Sequence, residues 1–279
     1  MGSSVLRIAV ALLVGYVLVV LVLAGCQRGM VYYPMNAPED RLRAAAADAG
    51  MMPWEGPDGA VAGWRTAAES PSEAPVFVVF HGNAGFALHR GYFADGLTAA
   101  LDDSGPPDVR IFEYPGYGAR GGRPSEDVIK AAAMDALAPL FASGERPVFL
   151  VGESLGTGVA AYVAGQRPDD VAGLLLVTPF TSLVDVGRSH YRFLPVGLLL
   201  RERYPSDEAL RDYSGPVAFV VAEHDEVVPT ELGVRLYEGY DGPKRLWKHA
   251  GAGHNTMDYN PAAPWWGEVT AFLLGRGRE

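Results

Sequence analysis

Five short, predominantly apolar runs constrain this chain more than any other feature: Val76 to Phe80, Val109 to Phe112, Val148 to Val151, Leu174 to Val177 and Val217 to Val221. Each is bounded by turn residues and lacks the polar–apolar alternation of a half-exposed strand, so each reads as a strand buried on both faces of a parallel sheet. Helical stretches lie between them. Ser125 is a candidate N-cap, with Glu126 and Asp127 in the favourable first turn. Val128, Ile129, Ala132, Ala136, Leu137 and Leu140 follow the 3.6-residue period, and Pro139 predicts a kink or an end there. Leu155 to Ala164, Pro229 to Tyr240 and Pro261 to Leu274 read as further helices, and Leu246 to His249 as the last strand. Gly59 to Arg65, entered through Pro57-Asp58-Gly59, reads as an antiparallel edge strand. Strands alternating with helices predict an α/β domain with a mostly parallel central sheet and helices on both faces. The 279 residues suffice for one such domain, and 49% apolar content supplies a large core. No internal repeat appears.

Chemistry enters at Gly152-Glu153-Ser154-Leu155-Gly156, a G-x-S-x-G sequence that follows an apolar strand and opens a helix. In that setting the glycines let the turn close and hold the serine hydroxyl at the strand tip, a nucleophile elbow. Gly158, Ala160 and Ala161 let the following helix approach the sheet closely. A serine needs a base, and in the order Ser, acid, His that base lies C-terminal, among His224, His249 and His254. His254 sits in Gly251-Ala252-Gly253-His254-Asn255, a glycine-rich loop able to swing an imidazole over the strand ends, whereas His249 closes a strand. The acid belongs after Val217 to Val221, where Glu223, Asp225 and Glu226 are available. Asp225, in the turn and followed by Val227-Val228-Pro229 after Glu226, is best placed to orient the imidazole; Glu226 reads as a solvated surface acid. Phe80-His81-Gly82-Asn83-Ala84-Gly85 leaves another strand as a glycine-rich turn that can aim backbone N–H groups into the site. The N–H of Asn83, with Ala84 as the alternative, joins that of Leu155 as a candidate oxyanion hole.

The first 27 residues are of another kind. Behind Arg7 no charge appears from Ile8 to Gln27, and the run has no polar face, which suits lipid better than a protein core. Leu23-Ala24-Gly25-Cys26 resembles a bacterial lipobox, in which Cys26 carries lipid and residues 1–25 are removed. Twenty uncharged residues also make an uncleaved signal anchor. The lipobox is preferred because Cys26, the only cysteine, stands where the apolar run ends; it also excludes an intramolecular disulfide. Either way the chain divides into a segment 1–26 and a domain 27–279 tethered to a membrane, facing outward. Within the domain, Ser182 to Leu210 is too long for a crossover, and its Phe193 to Leu200 stretch is too apolar for a solvated loop, so it reads as a short helical cap over the site. A buried extra helix is the plainer alternative.

The three motifs together, with Glu113-Tyr114-Pro115-Gly116-Tyr117-Gly118, Pro179-Phe180-Thr181-Ser182-Leu183 and His224-Asp225-Glu226-Val227-Val228-Pro229, give the chain a specific likeness. It resembles the small, N-terminally membrane-anchored serine hydrolases of the α/β-hydrolase fold, the depalmitoylase- and lysophospholipase-like branch. The resemblance covers nearly the whole chain and implies an esterase or thioesterase acting on acyl esters of small molecules or lipids. It departs in one respect: the palmitoyl-protein thioesterases of that branch carry N-terminal cysteine clusters, and here Cys26 stands alone. Serine at 154 points to acyl transfer, where an epoxide hydrolase or dehalogenase would need aspartate. A serine peptidase or amidase on the same fold ranks second, because the gating domain of the oligopeptidases has no room ahead of the first central strand. A non-catalytic tethered binding protein is the third reading, and the intact Ser, Asp and His set argues against it. A net charge of −10 disfavours nucleic acid as a partner. No metal cluster or phosphate-binding glycine loop is present in the sequence, so no cofactor is implied.

Overall fold

The computed structural model describes residues 2–101 and 105–276. A long helix, α1 (Gly2–Val31), leads to β1 (Tyr33–Pro34), α2 (Glu39–Asp48), β2 (Met51–Glu55), β3 (Val61–Thr66), β4 (Val76–Phe80) and β5 (Ala84–Gly85). Then come α3 (Gly91–Ala100), β6 (Asp108–Phe112), α4 (Glu126–Ser143), β7 (Val148–Glu153), α5 (Leu155–Gln166) and β8 (Val171–Val177). The chain continues through α6 (Leu183–His190), α7 (Val196–Leu199), α8 (Ser206–Ala209), β9 (Val217–Ala222), α9 (Thr230–Gly239), β10 (Lys244–His249) and α10 (Pro264–Leu273).

Eight strands form one sheet in the order β10-β9-β8-β7-β4-β6-β3-β2. The pairs from β10 to β6 are parallel, while β3 runs antiparallel to both β6 and β2. The five apolar runs all lie in the parallel part. β4 shows why they lack alternation: Val76, Val78 and Phe80 enter one hydrophobic core, and Phe77 and Val79 enter the other. Successive side chains of a strand point to opposite faces, so a sheet covered on both sides demands apolar residues throughout. Ile129, Leu137, Val159 and Leu232 of α4, α5 and α9 cover one face; Phe93 and Leu97 of α3 with Trp266 and Val269 of α10 cover the other.

Three local expectations need correction. Gly59 to Arg65 does contain an antiparallel strand, but β3 is an interior neighbour; the edge is β2, whose Pro53 masks it in sequence. Proline lacks the N–H a central strand needs, and an edge tolerates it. Helix α4 does not end at Pro139 but runs through it to Ser143 and stops at Gly144, which adopts φ 58°. Pro139 and Asp135 face solvent, so the carbonyl left without a donor can be hydrated while Leu137 and Phe141 hold the helix on the sheet. The last helix begins at Pro264, in the first turn where proline is favoured, and not at Pro261.

Between β8 and β9 the insert folds as α6, α7 and α8, joined by irregular chain. Helix α6 is capped by Ser182, whose Oγ accepts from Asp185 N–H at 3.1 Å. Helix α1 is continuous through Cys26, which is exposed on it.

Candidate active site

Ser154 stands between β7 and α5 at φ 51° and ψ −117°, a backbone region costly for a non-glycine residue. Its surroundings impose that geometry. A Cβ on Gly156 would stand 2.0 Å from the Phe80 carbonyl oxygen, and one on Gly152 would stand 2.5 Å from Thr157 Cα. Only glycine fits at either position. Ser154 N–H donates to the Val177 carbonyl at 2.9 Å, and the Ser154 carbonyl accepts from Thr157 Oγ1 at 2.7 Å, so the turn is fastened on both sides.

The loops after β9 and β10 bring the other two residues to it. His254 Nε2 lies 3.0 Å from Ser154 Oγ. Its Nδ1 lies 2.8 and 2.9 Å from the two carboxylate oxygens of Asp225. That carboxylate is 2% exposed and also accepts from Val227 and Val228 N–H at 3.0 and 2.7 Å, which sets its angle. His224 N–H donates to the Ala252 carbonyl, and Glu223 takes Gly251 N–H and Lys248, so the two loops are laced together. Thus Glu223 ties loops, Glu226 is exposed at the cavity rim, and His249 packs against Trp265.

The turn after β4 is pinned from several directions. The Asn83 carbonyl accepts from Tyr33 N–H at 2.9 Å and from Tyr117 OH at 2.7 Å, while Asn83 Nδ2 donates to the Val31 carbonyl. Asn83 and Leu155 both line the cavity that holds Ser154. Their N–H groups meet no acceptor among the described residues. Ala84 lies in β5, paired with β1.

One residue escapes sequence reasoning although it sits inside the motif. Glu153 is partly buried and accepts from Arg90 Nε at 2.7 Å, Tyr92 OH at 2.6 Å and Gly82 N–H at 3.2 Å. It therefore joins the serine turn to the turn that carries Asn83. Burial alone would raise its pKa, but the Arg90 charge and the hydrogen bonds from Tyr92, Arg90 and Gly82 outweigh it and hold the pKa below the ordinary value. A carboxylate next to the nucleophile could have signalled a buried partner, but nothing local in the sequence names Arg90.

Above Ser154 lies a cavity of about 450 Å³, within the range of small-molecule sites. The insert supplies Leu183, Val186, Leu194 and Leu199, and α1 supplies Leu23 and Ala24. The Phe193 to Leu200 stretch is only partly turned inward. Leu194, Val196, Leu199 and Leu200 line the cavity, whereas Phe193 and Leu198 are 90% and 87% exposed.

A mostly parallel sheet with a serine on a strained strand–helix turn, in contact with a carboxylate-bound histidine, defines the hydrolase class of α/β proteins. A family model described as the alpha/beta hydrolase fold matches residues 75–199. An uncharacterized protein of Mycobacterium tuberculosis is 36% identical over 235 residues, covering 82% of this chain and 80% of its own length. The chain belongs to the α/β-hydrolase family. The lysophosphatidylserine lipase ABHD12 of Danio rerio is 34% identical over 187 residues, covering 60% of this chain, which spans 47% of that longer protein. Among solved structures, an esterase of Pyrococcus furiosus superposes with a TM-score of 0.62 over 88% of this chain and 98% of its own, at 14% identity, a likeness of fold.

Proposed function

We propose that this protein is a membrane-tethered serine hydrolase that cleaves carboxylesters or thioesters of apolar acyl chains. The observation that carries the reading is the continuous hydrogen-bonded line from Ser154 Oγ through His254 to Asp225. In this scheme His254 Nε2 takes the hydroxyl proton as Ser154 Oγ attacks the acyl carbon. Asp225 accepts the Nδ1–H, holds the tautomer and stabilises the imidazolium. The Asn83 and Leu155 N–H groups receive the oxyanion. His254 then protonates the departing alcohol or thiol, leaving an acyl-enzyme on Ser154, and a water deprotonated by His254 releases the acid.

The cavity favours an acyl chain over a peptide. Its wall is mainly aliphatic and aromatic, and each methylene moved there from water contributes about 0.8 kcal/mol. The lipase name of the Danio rerio relative agrees with a lipid ester. The apolar α1, long enough to cross a bilayer, supports membrane attachment. A fluorophosphonate probe should label the parent protein at Ser154. Against a series of acyl esters, kcat/KM should rise from acetyl to roughly octanoyl by a few-fold per added methylene at first. A flat or falling series, or faster cleavage of peptide amides, would overturn this reading in favour of a peptidase.

A further inference from the structure

Helix α1 does more than lead into the domain. Tyr16, Val20, Leu23, Ala24, Gln27, Met30 and Val31 recur at three- and four-residue spacing and so share one face of the helix. That face meets the cap. Tyr16 OH donates to the Phe193 carbonyl at 2.7 Å, Val20 is buried, and Leu23 and Ala24 line the cavity above Ser154. Gln27 donates to the Leu199 carbonyl at 3.1 Å and accepts from Arg201 N–H at 2.6 Å.

The lengths of these contacts conflict with a water-borne cap. From Tyr16 to Gln27 the helix rises about 17 Å, roughly one leaflet of a hydrocarbon core about 30 Å thick. If α1 left the membrane at Tyr16, only the uncharged residues after Arg7 would remain within it, a span of about 12 Å. That is too short to cross. The helix can keep both its packing and its span only if the cap tip shares the membrane. The tip has the right composition: Phe193 to Leu200 carries no charge, its Phe193 and Leu198 side chains point outward, and exposed Arg192 and Arg201 flank it. Such arginines can reach headgroup phosphates from a buried stem.

We propose that residues 193–200 lie in the leaflet nearest the catalytic domain, and that the acyl chain passes into the cavity directly from that leaflet. Leu23 and Ala24 then form one wall of the acyl site, so the substrate is a membrane-resident single-chain ester and α1 is retained in the mature protein. The proposal rests on the acyl-ester reading above.

Two measurements on the full chain in phosphatidylcholine–phosphatidylglycerol vesicles test it. A nitroxide on Leu198→Cys, in a Cys26→Ser background, should be accessible to oxygen and shielded from a water-soluble nickel complex. A label readily reached by nickel would overturn the immersion. In the second, Phe193→Asp combined with Leu198→Asp should lower kcat/KM toward an oleoyl monoester in vesicles by about tenfold or more, given the cost of charge at membrane depth. Hydrolysis of a dissolved butyryl ester should stay within about twofold, since neither side chain lines the cavity. Undiminished vesicle activity in the double variant, or an intact mass showing a chain that starts at Cys26, would overturn the proposal while leaving the acyl-ester reading intact. A parent protein that cleaves neither ester would instead overturn the acyl-ester reading, whatever the depth of the label.

Discussion

At Gly156 a methyl group has no room, because the Phe80 carbonyl oxygen already occupies its place. Gly156→Ala should therefore push α5 away from β4 and move Ser154 off His254. We expect a lower melting temperature and loss of ester hydrolysis together, by calorimetry and assay on the same preparation. Ser154→Ala and His254→Ala differ in kind: each removes a reacting group from an otherwise intact site. Each should lower kcat by roughly 10⁴–10⁶-fold, and the double variant should lose little more than either alone, since both act in one step. A Ser154→Ala protein with near-parental turnover would remove the basis of the proposed mechanism. Glu153→Gln keeps the shape but not the charge, so Arg90 loses its ion pair and the Gly82 N–H its strong acceptor. Its activity should fall by about tenfold or more without loss of fold, as the turn carrying Asn83 loosens relative to Ser154.

Among elements, the stretch from α1 to β1 is bound to the site on two sides. β1 pairs in parallel with β5, so the chain leaving α1 braces the turn that presents Asn83. On the other side Glu202, 2% exposed, receives Arg28 Nε at 2.8 Å and Tyr32 OH at 2.5 Å, and also takes Glu126 N–H from the start of α4. Burial would raise the pKa of Glu202, but the hydrogen bonds from Tyr32 and Arg28 and that from Glu126 N–H bring it below the ordinary value. Arg28 is 57% exposed, so its share of the stabilisation is small. The larger effect of Glu202→Ala is to strand the Glu126 N–H, while the Tyr32 hydroxyl keeps the Tyr204 hydroxyl at 2.9 Å as its partner, at about 1–3 kcal/mol in urea unfolding. The same variant should weaken hydrolysis of vesicle-borne esters more than that of dissolved ones, because α1 and the cap would no longer hold a common register.

For the whole molecule, Glu153 and Glu202, together with Asp185 and the more exposed Glu223, set a dependence of stability on acid. Glu153 and Glu202 have pKa values below the ordinary 4.5 in the fold, so near that pH the unfolded chain binds more protons than the native one. Their contribution is complete above the unfolded value and is lost as the pH falls through the folded values. The melting temperature should therefore hold from neutral pH to about 5 and drop below about 4.5. The drop should be shallower in Glu153→Gln, which lacks one of these groups. An equally steep drop in that variant would show that other carboxylates govern acid unfolding.

How much of this was legible in the sequence follows from how local each feature is. The five central strands are written in short apolar runs, since a strand covered on both faces allows no alternation. Ser154, Asp225 and His254 can each be named from a turn with its own signature, and the fold brings them within hydrogen-bond distance. The edge strand β2 is hidden because Pro53 is acceptable only where no neighbour needs its N–H, and edges are decided by topology. Glu153 is silent because its partners Arg90, Tyr92 and Gly82 come from segments some sixty to seventy residues away. The uncharged character of the apolar run 8–27 is plain in sequence, but its second half serving as a wall of the cavity is not. Nor is the outward turn of Phe193 and Leu198 beside the inward turn of Leu194 and Leu199. Hydrophobicity along the chain determines which residues leave water; only packing between distant segments decides what each of them then touches.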